Sequence, residues 1–473
     1  MGGSGDVRGR VLRGTFFHAP SPDGFECCAD AMLVIDAAGA IADVLRAGSG
    51  EHAALAADES GQVMRLPEGS VMLPGFVDCH VHAPQFPQLG LALDVPLETW
   101  LMRYTFPLEA RYADLDFAAR AYGQLVDDLL AGGTTTALYF ATVHVPATRL
   151  LADLCIKKGQ RALIGKVAMD LDTCPDFYRD ADADEAVAGT RAIIDHIRAH
   201  AGNSEGRVLP VVTPRFIPAC TDEALEGLGQ LAAETGAHVQ THCSESDWAH
   251  GYVRERHGMS DAESLDRFGL VGRRSIVAHA NFLSGSDMDL LVQRGAGVAH
   301  CAHSNAYFAN AVFPLRRALE KGLHVGLGTD ISGGPSASML DAQRMTVAAS
   351  RMLEDGVDAG LPAGERGCRD SRVDMVTAFH LATAGGAEAL DLPVGSFEIG
   401  RKFDAIAIDT EAAEGTIRLF DGSAPSDVLA GVLYQASRAN IAHVWVDGRL
   451  VRSHRDAAPR SKPGLRAGAF AAI

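Results

Sequence analysis

Leu73-Pro74-Gly75-Phe76-Val77-Asp78-Cys79-His80-Val81-His82 is an apolar, β-branched run that ends in two histidines at i and i+2. Such a run predicts a buried strand, and residues two apart on a strand point to the same side. Both imidazoles therefore face one spot, and the Pro-rich Ala83-Pro84-Gln85-Phe86-Pro87 that follows predicts a loop leaving the strand end. Two neutral imidazoles aimed at one point suit a metal. An isolated pair at this spacing also suits a hydrogen-bonded core, so the rest of the chain has to separate the two.

From Val71 onward the pattern is apolar strand, loop, then amphipathic helix, repeated. Strands are expected near 72–82, 133–142, 161–170, 208–219, 238–243, 275–280, 296–301 and 323–329. Helices are expected over 113–131, 146–158, 184–200, 222–235 and 286–294, many opening at Ser, Thr or Asp and closing at Gly. Eight strands alternating with helices predict an α/β chain with a (β/α)8 barrel over 72–390, completed by helices at 338–355 and 374–390. Short alternating stretches at 7–17, 31–35, 41–45 and 62–66 precede it. Others at 403–409, 428–434 and 443–447 follow, with Asp447-Gly448 a hairpin signal. They predict a small β-sandwich domain built from both chain ends, 1–71 plus 391–455. Residues 456–473, rich in Ala, Pro, Gly and Arg without periodicity, predict a C-terminal tail.

At 473 residues, 47% hydrophobic and 22% charged, the chain can bury a large core. Its net charge of −18 argues against nucleic acid or anionic membrane as a partner, since both need a basic surface. No apolar run approaches the ~20 residues that span a bilayer, and residues 1–13 lack a signal-peptide core, so a cytoplasmic location is expected. Nine cysteines without a CxxC pair read as reduced thiols. Cys79, Cys243 and Cys301 each adjoin a histidine of interest, but neighbours on a strand face opposite ways.

In a β/α barrel the chemistry lies at the C-terminal ends of the strands. The polar residues there are His80 and His82 after the first strand, Arg215 and Phe216 after the fourth, and His242 after the fifth with Glu245 three residues on. His279 follows the sixth strand and Asp330 the eighth. Three histidines and an aspartate can hold one zinc or iron and leave a position for water, whose pKa would fall to about 7. Singly, each residue has a plain structural alternative: a helix cap for Asp330, a core histidine for His279, a rim charge for Arg215. These alternatives would all have to hold together at one barrel face.

The motifs around His80, His242, His279 and Asp330 resemble the amidohydrolase superfamily of β/α-barrel hydrolases. Further stretches narrow the likeness: Trp100, Tyr104-Thr105-Phe106-Pro107, Gly133-Thr134-Thr135-Thr136, Tyr139-Phe140-Ala141-Thr142, Gly165-Lys166-Val167-Ala168-Met169-Asp170, Thr213-Pro214-Arg215-Phe216 and Ser338-Met339-Leu340-Asp341-Ala342. Over about residues 60–450 the chain resembles the guanine deaminases of that superfamily. The resemblance implies zinc-dependent hydrolysis of guanine to xanthine and ammonia, with one zinc per chain, iron being possible, on His80, His82, His242 and Asp330. It implies Glu245 as proton shuttle, His279 as hydrogen-bonding partner of the attacking water, and Asp330 as base as well as ligand. Gln85, Trp100, Arg215 and Phe216 are implied as substrate contacts, and a homodimer as the assembly. One region departs from the family: His300-Cys301-Ala302-His303-Ser304-Asn305 and then 306–311 stand where a His-Cys-Pro and a Ser-Asn leading to Gly are usual. A related ring (8-oxoguanine, a pterin or an s-triazine) therefore stays open as substrate, and a non-catalytic scaffold is the remote alternative.

Overall fold

Gly75 divides the stretch that ends at His82. Ser70–Pro74 pairs in one sheet and Phe76–His82 in another, so the single strand expected over 72–82 is two. A Cβ at Gly75 would lie 2.2 Å from Thr135 Oγ1, and the Gly75 amide donates to the Asp404 carbonyl at 2.9 Å. Only glycine lets the backbone pass this close as it crosses between sheets.

The computed structural model describes residues 5–57, 61–309, 311–420 and 422–453; the tail expected at 456–473 lies outside them. Five strands come first: β1 (Arg10–Ser21), β2 (Gly24–Ile35), β3 (Ile41–Leu45), β4 (Val63–Arg65) and β5 (Ser70–Pro74). The barrel strands are β6 (Phe76–His82), β7 (Thr134–Phe140), β8 (Arg161–Gly165), β9 (Val167–Ala168), β10 (Val208–Pro214), β11 (His238–Cys243), β12 (Ser275–His279), β13 (Gly297–His300) and β14 (His324–Leu327). The chain then adds β15 (Ala405–Asp409), β16 (Ile441–Val446) and β17 (Arg449–Ser453). The expected (β/α)8 barrel is present as a parallel sheet in the order β14-β13-β12-β11-β10-β8-β7-β6. The third strand, expected unbroken over 161–170, is interrupted at Lys166. Beyond it β9 resumes the pairing with β10.

The two chain ends form one mixed sheet in the order β17-β16-β15-β5-β1-β2-β3, with β4 alongside β1. One expected strand of this region is a helix instead. Residues 428–434 lie within Pro425–Gln435, started by Pro425 and by Asp427 accepting the Ala424 amide. That run is apolar almost throughout, so alternation cannot tell strand from helix, and its buried residues Leu429, Val432 and Leu433 follow the helical period. The helix expected over 374–390 is two, Met375–Leu381 and Ala384–Ala389, broken at Thr383. Helices Asp247–His257, Asp261–Arg267 and Leu315–Glu320 had no counterpart in the sequence reading. The well-patterned ones fall where expected. In Leu115–Ala131 the buried Ala118, Ala121, Tyr122, Leu125, Val126 and Leu129 make one stripe, and the Asp114 carboxylate caps the amides of Asp116 and Phe117.

The end strands β6 and β14 are joined by individual bonds. Asp330 N–H donates to the His80 carbonyl at 2.9 Å, and His82 N–H donates to the Ile331 carbonyl at 3.0 Å. Deeper in the seam the buried Asp78 carboxylate accepts from the Thr329 amide (3.0 Å) and hydroxyl (2.6 Å). Burial pushes the Asp78 carboxyl up to about 7, against the hydrogen bonds from Thr329 and the His80 amide. No described helix is long and apolar enough to cross a membrane.

Barrel and small sheet are tied by a buried ion cluster. Arg161, at the start of β8, donates from Nε to Asp404 Oδ2 at 2.8 Å, from Nη2 to Asp404 Oδ1 at 3.1 Å, and from Nη2 to Asp447 Oδ1 at 2.5 Å. Asp404 also accepts the Asp447 amide at 2.8 Å. Removing Asp404 takes two of the three hydrogen bonds from a buried guanidinium and leaves it Asp447, so the loss stays below the roughly 3–5 kcal/mol of a fully broken buried pair. Asp404→Ala is therefore expected to lower the denaturant midpoint by an amount equivalent to about 2 kcal/mol, the order of lost hydrogen bonds to a charged group; an unchanged midpoint would show that the cluster does not hold the two sheets together.

Candidate metal and active site

The strand-end residues singled out in the sequence come together. His80 and His82 leave β6 on the same side, as their i, i+2 spacing predicts, with ring centroids 4.9 Å apart. His242 ends β11, and its ring lies 4.9 Å from His80 and 5.0 Å from His82. The Nε2 atoms of His82 and His242 are 2.9 Å apart. Asp330 Oδ1 lies 3.3 Å from His80 Nε2 and 3.7 Å from His82 Nε2. His279 approaches the other carboxylate oxygen, with Nε2 3.9 Å from Asp330 Oδ2 and 3.6 Å from Glu245 Oε1. Asp330 thus turns one oxygen to the histidine pair of β6 and the other to His279.

Backbone geometry at these strand ends is unusual. Ser244, His279, Ala280 and Asp330 all have positive φ (47°, 69°, 57° and 48°), a conformation that costs a non-glycine residue of order 1 kcal/mol or more. Such turns aim a side chain where a regular strand would not. Two of the four are held by bonds to distant segments: Asp261 accepts the Ser244 amide at 3.0 Å, and the Cys243 carbonyl accepts the Ala280 amide at 2.9 Å.

Tautomers follow from the partners. His242 Nδ1 is 2.5 Å from the Arg215 carbonyl, an acceptor, so Nδ1 carries the proton and Nε2 presents a lone pair. His279 Nδ1 lies 3.0 Å from Asn305 Oδ1, which also accepts from Asn281 Nδ2 at 3.2 Å, so Nδ1 carries a proton and Nε2 is the nitrogen turned to the carboxylates. Burial, reinforced by the neighbouring imidazoles, holds His82 and His242 well below the usual histidine range, so both are neutral. Burial raises Asp330, but His80, His279 and His82 outweigh it and hold the carboxyl well below the usual range. Burial raises the Glu245 carboxyl, only partly offset by His279.

This donor set fits one metal ion. The Nε2 atoms of His80, His82 and His242 converge with Asp330 Oδ1 in a buried space, so three imidazole nitrogens and a carboxylate oxygen are aimed at one point. The ligand atoms of His80, His82 and His242 fall within 4.8 Å of one another, as do those of His80, His279 and Asp330. Donors about 2.1 Å from one ion in a tetrahedral arrangement stand roughly 3.4 Å apart, close to the separations found here. None of Cys79, Cys243 and Cys301 belongs to either group, as strand geometry predicts.

Beside the histidines lies a cleft lined by His82, His242, Glu245 and Asp330 together with Gln85, Trp100, Arg215 and Phe216. Every substrate-contact candidate named from the sequence therefore reaches it. Leu97, Leu101, Phe308 and Gly333 line it too and were not anticipated; Phe308 belongs to the 300–311 stretch that departs from the family pattern. Arg215 does not stand free, because Glu109 takes a bidentate ion pair with it (Nη1–Oε2 2.7 Å, Nη2–Oε1 3.2 Å). Glu109 also accepts from Gln85 Nε2 at 2.9 Å, and Phe106 packs 4.9 Å from the guanidinium carbon. The only sequence trace of Glu109 is a carboxylate two residues past Tyr104-Thr105-Phe106-Pro107, with no periodicity to mark it.

A parallel β/α barrel with histidines and an aspartate converging at its strand ends is the architecture of a metal-dependent hydrolase, and the Amidohydrolase family matches residues 71–451. Guanine deaminase from Homo sapiens is 34% identical over 451 residues, covering 93% of this chain and 96% of the relative. The probable guanine deaminase of Schizosaccharomyces pombe is 38% identical over 394 residues, 82% of this chain and 73% of the relative. Among solved structures, guanine deaminase from C. acetobutylicum with bound guanine superposes with a TM-score of 0.83 at 29% identity, covering 94% of this chain and 100% of that one. The chain belongs to the guanine deaminase family of amidohydrolases.

A His242→Ala protein is expected to purify with less than about a tenth of the parent's bound metal and unchanged far-UV circular dichroism. Full metal content in that variant would show that these imidazoles do not hold an ion.

Proposed function

We propose that the protein hydrolyses guanine to xanthine and ammonia, with one zinc per chain on His80, His82, His242 and Asp330. The observation that carries this reading is one cleft lined by a metal-ready histidine and aspartate set, a buried carboxylate beside it, and a paired arginine. It is supported by the guanine deaminases named above. Zinc has the same source as the family resemblance, and iron would suit the same donors. Residues 1–71 plus 391–455 as the small domain, 72–390 as the barrel, a homodimer and a cytoplasmic location belong to the same proposal. The division is supported by a small sheet that draws its strands from 10–74 and 405–453.

Guanine C2 carries the amino group between N1 and N3, and its replacement by oxygen needs a water nucleophile and two proton deliveries. A zinc ion on these ligands would bring the pKa of water to about 7 and so supply the nucleophile at neutral pH. Glu245, raised by burial, is suited to take one proton from the water and give it to the ring nitrogen, and then to take the second from the new C2 hydroxyl and give it to the departing amine. His279, with Nε2 turned toward Glu245 and Asp330, is placed to hydrogen-bond the water and orient it. Arg215 supplies donors to O6 and N7, the two acceptors on the edge of guanine far from C2. Phe216 fixes the ring plane, and Trp100 closes the cleft, its indole N–H held by the Leu91 carbonyl at 3.2 Å. Adenine presents an amino donor where O6 would be, facing an arginine with no acceptor to offer.

A related ring is the second reading, favoured by Phe308, which brings the unusual 300–311 stretch into contact with the cleft. Ammonia release from guanine, 8-oxoguanine, a pterin and an s-triazine, with metal content measured on the same sample, separates the two. Guanine is expected to be turned over fastest, with about one equivalent of metal; faster turnover of another ring would replace the substrate, and about two equivalents would overturn the single-ion site.

Glu245→Gln is expected to keep its metal and lose roughly 10²–10⁴-fold in kcat; metal loss in that variant would make Glu245 a ligand instead of a proton carrier. Arg215→Met is expected to keep metal and lower kcat/KM for guanine by at least about 100-fold, the order of one charge-assisted hydrogen bond. Undiminished guanine turnover would remove Arg215 from substrate recognition.

A further inference from the structure

Glu109 is fully buried, 0% exposed, and is surrounded by donors. Its two oxygens take Arg215 Nη1, Arg215 Nη2 and Gln85 Nε2, which uses three of the roughly four lone-pair directions a carboxylate has. A guanidinium has five N–H groups, so three remain on Arg215: Nε–H and one more on each Nη. The Gln85 amide is fixed as well. Its Oε1 accepts the Ser332 amide at 3.1 Å while its Nε2 faces a carboxylate, and only one of the two amide orientations satisfies both. Gln85 therefore has one N–H left over, and its oxygen is engaged elsewhere.

We propose that Glu109 is the positioning residue that makes this wall of the cleft donor-only, and so sets the choice of an oxo over an amino group on the ring edge facing Arg215. The inference rests on the guanine reading above and deepens it. The carboxylate absorbs surplus donors at the back of Arg215, leaving a defined edge of the guanidinium toward the cleft. It also prevents the Gln85 amide from turning its oxygen inward. With a neutral amide in its place, one of the donors Glu109 accepts meets an N–H, Gln85 is free to reverse, and the wall offers an acceptor beside the donors. An amino group at C6 is then no longer unpaired, and the penalty against it falls. Glu109 touches no reacting atom in this scheme, so its loss acts on binding and discrimination before it acts on the chemical step. Phe106, packed against the guanidinium, does not compensate, since a ring face fixes neither a fork nor an amide.

The test compares guanine with 2,6-diaminopurine, which keeps the C2 amino group and carries an amino group in place of O6. With the metal-loaded enzyme, KM and kcat for guanine and the inhibition constant of 2,6-diaminopurine are measured for the parent, Glu109→Gln, Arg215→Met and the double variant. Glu109→Gln is expected to raise KM for guanine about 30-fold with kcat within about 3-fold, and to tighten 2,6-diaminopurine relative to guanine at least about 10-fold. In the Arg215→Met background the same change is expected to lower kcat/KM for guanine by less than about 10-fold, because Glu109 then has no fork to hold and fixes only the Gln85 amide. Glu109→Asp, which keeps the charge, should recover discrimination in part. An unchanged purine ratio in Glu109→Gln, losses that multiply fully in the double variant, or a fall in kcat at constant KM would each overturn the proposal. If Glu109→Gln does not fold, Glu109→Asp alone carries the comparison, a shifted ratio supporting the proposal and an unshifted one overturning it. A parent that releases no ammonia from guanine refutes the substrate reading. The same two purines compared by equilibrium binding to parent and variant then still decide whether Glu109 sets the preference.

Discussion

Closure of the barrel between its first and last strands is the constraint on which the site depends. The seam between β6 and β14 is made of a few bonds: the Asp78 carboxylate on the Thr329 amide and hydroxyl, Asp330 N–H on the His80 carbonyl, and His82 N–H on the Ile331 carbonyl. Three of the four metal-ligand candidates sit on those same residues. A seam bond that lengthened by an ångström would move His80 and Asp330 apart by as much, beyond the tolerance of a single-ion site. The polar character of β6, odd for the interior of a barrel, is explained by this double duty.

Charge is managed in three separate buried groups. Arg161 with Asp404 and Asp447 ties the barrel to the small sheet. Lys166 with Asp180 (2.5 Å) anchors the turn that interrupts the third strand. Arg215 with Glu109 lines the cleft. Buried pairs of this kind contribute little net stability, because desolvation offsets the attraction, and apolar replacements often do as well. They do hold geometry. Each of the three stands where the backbone leaves a regular strand or crosses between sheets, and the last stands where a ligand edge has to be read.

The fold was legible from one-dimensional pattern wherever amphipathic contrast is strong. Helices such as Leu115–Ala131 and Asp222–Thr235 lie where periodicity and capping residues put them, and so do the barrel strands apart from the breaks at Gly75 and Lys166 and the fourth, expected to 219, which ends at Pro214. Contrast fails where a segment is apolar all round, and so 428–434, a helix, looked like a strand. It fails where a strand passes from one sheet to the next within a residue, as at Gly75. It fails too in short polar helices such as Asp247–His257, whose buried face is only Ala249 and Val253.

Local sequence determined the ligand candidates, because strand alternation and the position at a strand end are properties of a few consecutive residues. His80, His82, His242, His279, Asp330, Glu245 and Arg215 could be collected from the chain on that basis, together with the family they resemble. Tertiary structure alone decided what those residues meet. Glu109 and Arg215 lie 106 positions apart, Asp78 and Thr329 251, and no periodic signal links such pairs. The positive φ angles at His279 and Asp330, the Asn305 oxygen that fixes a proton on His279 Nδ1, and the carboxylate behind Arg215 all depend on neighbours brought in by barrel closure. Spacing along a strand encodes direction; hydrogen-bond partners and charge balance arise only once distant segments share the same buried, low-dielectric space.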